Sequence, residues 1–100
     1  MADRIAAIRS MLAGNPDDVF LHYSLGMEHA AAGNFDQAVQ EFRRCVALDE
    51  DYLAAYVEAG KSLRSAGLSK QAREMFLAGL EVASARGERH VADFIRQQLG

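Results

Sequence analysis

Three side chains in the first half of the chain carry groups that bind zinc: His22, His29 and Cys45. Their spacing does not suit a metal. His22 and His29 lie two helical turns apart, about 10.5 Å along a helix axis at ~1.5 Å per residue. Zinc–nitrogen bonds of ~2.0–2.1 Å do not bridge that gap, and zinc-binding helices place their ligands at i and i+4. The three residues are read instead as helix-packing residues, with Cys45 acting as a small buried hydrophobe. His90 and Asp93, beside Glu88 and Arg89, have the i, i+3 spacing of an acid–base pair. A solvated helix face has the same composition, and that is the reading adopted. No Ser or Cys sits in a nucleophile turn, and there is no phosphate loop and no paired metal motif. The expectation is a non-catalytic protein with no cofactor and no metal.

The residues suited to recognition form a different pattern. On a helix over about residues 17–32, Leu21, His22, Leu25, Gly26 and His29 share one side. Phe20, Tyr23, Met27, Ala30 and Ala31 share the other, diluted only by Ser24 and Glu28. A helix that is apolar nearly all round is either buried or faces a partner.

The elements that must position these residues follow from periodicity. Residues 2–13 predict a first helix, with Ile5, Ile8 and Leu12 on one stripe. Gly14-Asn15-Pro16 should end it, through a left-handed glycine cap and a proline that cannot continue the helix. Asp17 is the expected N-cap of the second helix, which ends at Gly33-Asn34. A third helix spans about Phe35 to Leu48, with Ala38, Phe42, Cys45 and Val46 inward. Asp51 is expected to cap a fourth, ending at Gly67, and Ser69 a fifth, with Ala72, Met75, Phe76, Gly79 and Leu80 inward. A sixth follows Gly87 and carries Val91, Phe94, Ile95 and Leu99. No run alternates with period two, so no strand is expected.

Composition sets the outer bounds. One hundred residues, half of them hydrophobic, with net charge −3, make one small domain without a basic field for nucleic acid. No apolar run is long enough for a membrane span. Residues 1–15 carry Asp3, Arg4 and Arg9 and no signal-like stretch. With Cys45 alone, no intramolecular disulfide forms, and a cytoplasmic location is the expectation. Arg43-Arg44 is read as a charge pair on a solvated face.

Gly26/Gly60, Gly33/Gly67, Ala38/Ala72 and Phe42/Phe76 all recur at an offset of 34 residues, as do Asp17/Asp51, Ala32/Ala66 and Gln37/Gln71. A helical unit with this period buries its apolar side by stacking on its neighbour. The pattern resembles the tetratricopeptide repeat, a helix–turn–helix of W-x2-L-G-x2-Y…A-x3-F…P form. His22-Tyr23-Ser24-Leu25-Gly26, His29, Ala38 and Phe42 stand at its places in one unit. Tyr56, Ala59-Gly60, Leu63, Ala72 and Phe76 stand at them in the next, and Gly33-Asn34-Phe35-Asp36-Gln37-Ala38 resembles the inter-helix turn. Departures are His22 and His29 for aromatics, Glu50 and Ser84 for proline, and Asp93-Phe94 for Leu-Gly in the sixth helix, which marks it as a cap.

The resemblance implies an all-α superhelix of six antiparallel helices within one domain, residues 1–100. It divides into a half-repeat helix (1–16), two full repeats (17–50 and 51–84) and a capping helix (85–100). It also implies a protein-interaction module, an adaptor or scaffold, whose first helices line a concave groove. Phe20, Tyr23, Met27, Val57, Lys61 and Arg64 would then face a protein or peptide partner, apolar at one end and cationic in the middle. Nucleic acid and membrane are not expected partners. The Lys/Asn clamp that some members use for a terminal carboxylate is absent, since Tyr23, Met27 and Glu58 hold its places. The alternative is a homo-oligomeric assembly piece in which a second copy or the chain's own termini cover Phe20, Tyr23 and Met27. A small metal protein or enzyme built on His22, His29 and Cys45 is the third reading.

Overall fold

The computed structural model describes residues 2–100, with side chains from Arg4 onward. Met1, where the expected half-repeat begins, and the side chain of Asp3 lie outside the described residues. Six helices follow one another: α1 (Ala2–Gly14), α2 (Val19–Ala31), α3 (Phe35–Leu48), α4 (Leu53–Ser65), α5 (Ser69–Ala85) and α6 (Arg89–Leu99). Each packs on its sequence neighbours and α2 also touches α4, so the helices form an all-α antiparallel solenoid.

Three of the turns are one structure repeated. At the end of α2, Gly33 has φ +79°, its N–H reaches the Ala30 carbonyl at 3.0 Å, and the Asn34 N–H reaches the His29 carbonyl at 2.9 Å. Gly67 and Leu68 close α4 on Arg64 and Leu63 in the same way, and Gly87 and Glu88 close α5 on Ser84 and Ala83. This crossed pair satisfies two carbonyls at the helix end and requires a left-handed residue between them, a place glycine takes without a Cβ penalty. Gly14 behaves differently. It lies inside α1 without a positive φ, so the expected glycine cap is not formed there, and Asn15 closes the helix on Met11 and Leu12.

The expected N-caps also shift. Asp18, not Asp17, caps α2 by accepting the Leu21 N–H at 3.0 Å. Asp17 instead accepts from Arg44 of α3 at 2.9 Å. Neither Asp51 nor Ser69 caps a helix: Tyr52 and Leu68 hold those positions without a side-chain cap bond. Asp51 is held by Arg86 at 3.0 Å, so the 34-residue pair Asp17/Asp51 is used for tying the start of one helix to the end region of the next.

The core runs through the middle of the stack. Phe42, Cys45, Phe76 and Ile95 are almost fully buried, with Ala38, Ala55, Ala59, Leu63 and Ala72 around them. Phe42 of α3 presses on Gly26 of α2, and Phe76 of α5 on Gly60 of α4. A Cβ at either glycine would stand 2.6 Å from the ring. The two glycine–phenylalanine pairs therefore set how closely the helices approach within each unit. Of the residues expected on α6, Ile95 is buried and Phe94 is 40 % exposed, covered by no described helix. No described helix is long and apolar enough to cross a membrane.

Candidate protein-binding surface

The zinc-capable side chains are all engaged or enclosed. His22 bridges α2 and α3, with Nδ1 2.7 Å from Glu41 Oε1 and Nε2 2.7 Å from the Pro16 carbonyl. His29 is buried, its Nδ1 without a hydrogen-bond partner. Cys45 points its Sγ at the Val19 carbonyl, 3.6 Å away, and burial pushes its thiol up from the usual 9.0 to about 12. A buried thiol that keeps its proton near neutral pH is a poor nucleophile. Among the described residues no group of three or more His, Cys, Asp or Glu is arranged to hold a metal. On α6, Asp93 pairs with Arg96 at 3.0 Å and His90 is exposed.

The six groove residues divide into two sets. Phe20, Tyr23 and Met27 of α2 line a cleft of about 560 Å³ between α2 and α1, whose other wall is Arg4, Ala7, Ile8 and Met11. Phe20 is 64 % exposed, Met11 50 % and Met27 37 %, so α1 flanks this stripe without covering it. Arg4 reaches Glu28 at 3.5 Å along the rim. Tyr23 is half-buried, its ring 5.7 Å from Phe42 and 5.4 Å from Tyr52, so it forms the floor where the cleft meets the core. Burial, with Glu58 nearby, raises its phenol above the usual value, and it stays a neutral hydrogen-bonding group.

Val57, Lys61 and Arg64 lie on α4 and do not line that cleft. Val57 is half-buried against the core. Lys61 is exposed and reaches Glu58 at 3.5 Å. Arg64 lies over the Phe76 ring, 5.0 Å from its centroid, and donates to the Gln98 side-chain oxygen at 2.9 Å. It belongs to a second cleft among α4, α5 and α6, of about 300 Å³.

Ile8 and Met11 were not among the sequence-derived site residues, yet the period contains the signal for them. They stand 34 residues before Phe42 and Cys45, which α2 and α4 bury completely. In α1 no described helix covers the same phase, and the side chains are half-buried or exposed.

The tetratricopeptide repeat family profile matches residues 19–52, which span α2, α3 and the following turn. A TPR repeat-containing protein of Pseudomonas aeruginosa is 32% identical over 85 residues, covering 85% of this chain and 81% of its own length. The chain belongs to the tetratricopeptide-repeat family. Solved structures agree. A protein of Bordetella parapertussis superposes with a TM-score of 0.82 at 29% identity, covering 95% of this chain and 83% of its own. A tetratricopeptide repeat domain protein of Salinibacter ruber gives 0.73 at 27% identity, covering 82% and 91%. The tetratricopeptide-repeat chain is accordingly a protein–protein interaction module of the general type its fold serves.

Proposed function

We propose that this tetratricopeptide-repeat module is an adaptor that seats the apolar side chains of a partner peptide or protein segment in the cleft between α1 and α2. Its units are 17–50 and 51–84, with the half-unit 1–16 supplying one wall of the cleft and the helix of 85–100 closing the far end. The observation that carries the reading is the grouping of Phe20, Met11 and Met27. These are three of the six exposed large apolar side chains of the described residues, and they line one concavity. Scattered exposed apolar residues need no explanation, whereas a contiguous apolar concavity marks an interaction site. Methionines re-pack around differing shapes, which suits a site for varied anchors. Val57 and Lys61 would continue the surface along α4, with Lys61 paired to Glu58, while Arg64 turns away towards α6.

The test places a photo-crosslinking amino acid at Phe20 and, as a control, at Leu77, a 44 % exposed apolar position on α5. Crosslinks to another protein from position 20 alone support the adaptor reading. Crosslinks only between copies of the chain transfer the cleft to a homo-oligomer interface. Equal crosslinking from both positions refutes a localised site. Phe20→Glu, at an exposed position, should abolish the position-specific capture without loss of helicity. Tyr23→Ala is a poorer probe because its ring packs on Phe42 and Tyr52.

A further inference from the structure

We infer that the cleft among α4, α5 and α6 is an oxyanion site, taking a carboxylate or phosphate group on the guanidiniums of Arg64 and Arg73. This inference is independent of the apolar cleft at the other end of the molecule. The lining is Arg64, Ser69, Ala72, Arg73, Phe76, Gln98 and Leu99, with two cations and no acidic side chain. Of the other nine cations, Arg4, Arg44, Lys61, Arg86 and Arg96 each pair with an acidic side chain; Arg9, Arg43, Lys70 and Arg89 do not, but Arg43 and Arg89 share their clefts with Glu74 and Glu88. Among the described residues, Arg64 and Arg73 have only neutral acceptors: the Gln98 side-chain oxygen at 2.9 Å and carbonyl at 3.4 Å for Arg64, and the Leu99 carbonyl at 3.3 Å for Arg73.

The repeat supplies an internal control. The residues at the same places one unit earlier are Ala30, Phe35 and Val39, at an offset of 34 from Arg64, Ser69 and Arg73. There, Val39 is 7 % exposed, Phe35 is half-buried and Ala30 packs against the core. Three apolar residues that fill this junction in the first unit have thus become two arginines and a serine in the second. Loss of the phenylalanine and valine opens the cavity, and the replacements are the donors that bind oxyanions in planar, bidentate fashion.

Capping of α6 is the competing role for these arginines, because both touch its last carbonyls. Unused donors decide between the two, because capping occupies only part of each guanidinium. The recorded bonds use Nη1 and Nη2 of Arg64 and Nη1 of Arg73, so both Nε groups and Nη2 of Arg73 have no protein acceptor. A volume of about 300 Å³ is at the lower end for ligand pockets, which fits a small anion or one acidic residue of a larger ligand.

The experiment follows the arginine Nε–Hε signals by NMR at constant ionic strength while chloride is replaced by inorganic phosphate in one arm and by acetate in the other. The expected result is saturable movement of the Arg64 and Arg73 signals, with the remaining arginines still. Saturation in both arms indicates a general oxyanion site; saturation by phosphate alone assigns it to phosphorylated ligands, and by acetate alone to carboxylates. Arg73→Gln should weaken the affinity on the order of tenfold or more, as expected for losing a hydrogen bond to a charged group. The double variant Ser69→Phe, Arg73→Val restores the residues of the first unit and should abolish saturation while circular dichroism stays that of the parent. Linear, unsaturated movement in both arms, or saturation unchanged in the double variant, overturns the assignment.

Discussion

Gly26→Ala should destabilise the protein even though alanine is the better helix former. Gly26 lies inside α2, where replacing glycine by alanine gains about 1 kcal/mol of helix propensity. The new Cβ, however, would stand 2.6, 2.9 and 2.9 Å from three carbons of the Phe42 ring. Carbon pairs are comfortable at ~3.5–4.0 Å, so the contact is short by roughly 1 Å. Phe42 is fully buried and cannot swing into solvent. The remaining response is for α2 and α3 to separate, which loosens the whole interface. Overpacking of this kind costs typically 1–3 kcal/mol, and the depth of the overlap places it at the upper end. After the propensity gain, the net loss is about 2 kcal/mol, or a fall in Tm of roughly 10 °C for a domain of this size. Urea titration followed by circular dichroism measures it. Phe42→Leu, which shortens the ring's reach, should relieve the clash, so the double variant should be less destabilised than the sum of the single ones. A Gly26→Ala protein as stable as wild type, or one whose effect adds independently to Phe42→Leu, would refute the argument that this pair sets the helix spacing.

Two further outcomes follow from the same structure. Gly67→Ala meets no neighbouring atom within 4 Å but sits at φ +81°, so strain alone should cost about 1 kcal/mol, read as a lower urea midpoint and faster amide exchange at Leu68, whose N–H closes the turn. The Cys45 thiol is held up from 9.0 to about 12 by burial and, secondarily, by Glu41; below pH 9 both the folded and unfolded states keep the proton, whereas between about 9 and 12 only the unfolded chain releases it. Stability should therefore be flat through neutrality and fall as pH rises through that window, as raised phenols at Tyr23, Tyr52 and Tyr56 add to the loss. Cys45→Ala should make the fall shallower when urea midpoints at pH 8 and pH 11 are compared, and an unchanged slope would show that the thiol is not the titrating group.

The architecture was legible because the repeated glycines and phenylalanines each do one mechanical job. Gly26 and Gly60 admit a ring, Phe42 and Phe76 supply it, and Gly33 and Gly67 take the left-handed turn. Those demands are steric and local, and a sequence offset carries them directly. The caps were less legible, since Asp17 and Asp18 are adjacent and equally able to accept an N–H. The choice depends on Arg44 drawing Asp17 sideways, a contact made 27 residues away. Of the expected surface, Phe20, Tyr23 and Met27 come together because they share one helix face. Arg64 departs from them because Gln98 and Phe76 draw it towards α6, a contact that the pattern of α4 alone does not contain.

The places where the repeat fails to repeat explain why the two clefts lie at opposite ends. Inside a unit, α2 and α4 offer glycine to the incoming ring and the junction closes without a gap. In α1, Ile8 and Met11 hold the phase of Phe42 and Cys45, and among the described residues only α2 packs beside them, which leaves the apolar cleft open. At the other end, Phe94 holds the phase of Gly26 and Gly60. A further helix could not approach α6 as α3 approaches α2, because the space that a Cβ alone would overfill is taken by a whole ring. The second unit also packs α6 less tightly at its edge, with Arg73 and Ser69 in place of Val39 and Phe35, and the polar cleft results. A stack built from identical units would lack the cationic cleft. The two clefts differ in opposite chemical senses, apolar beside α1 and cationic beside α6.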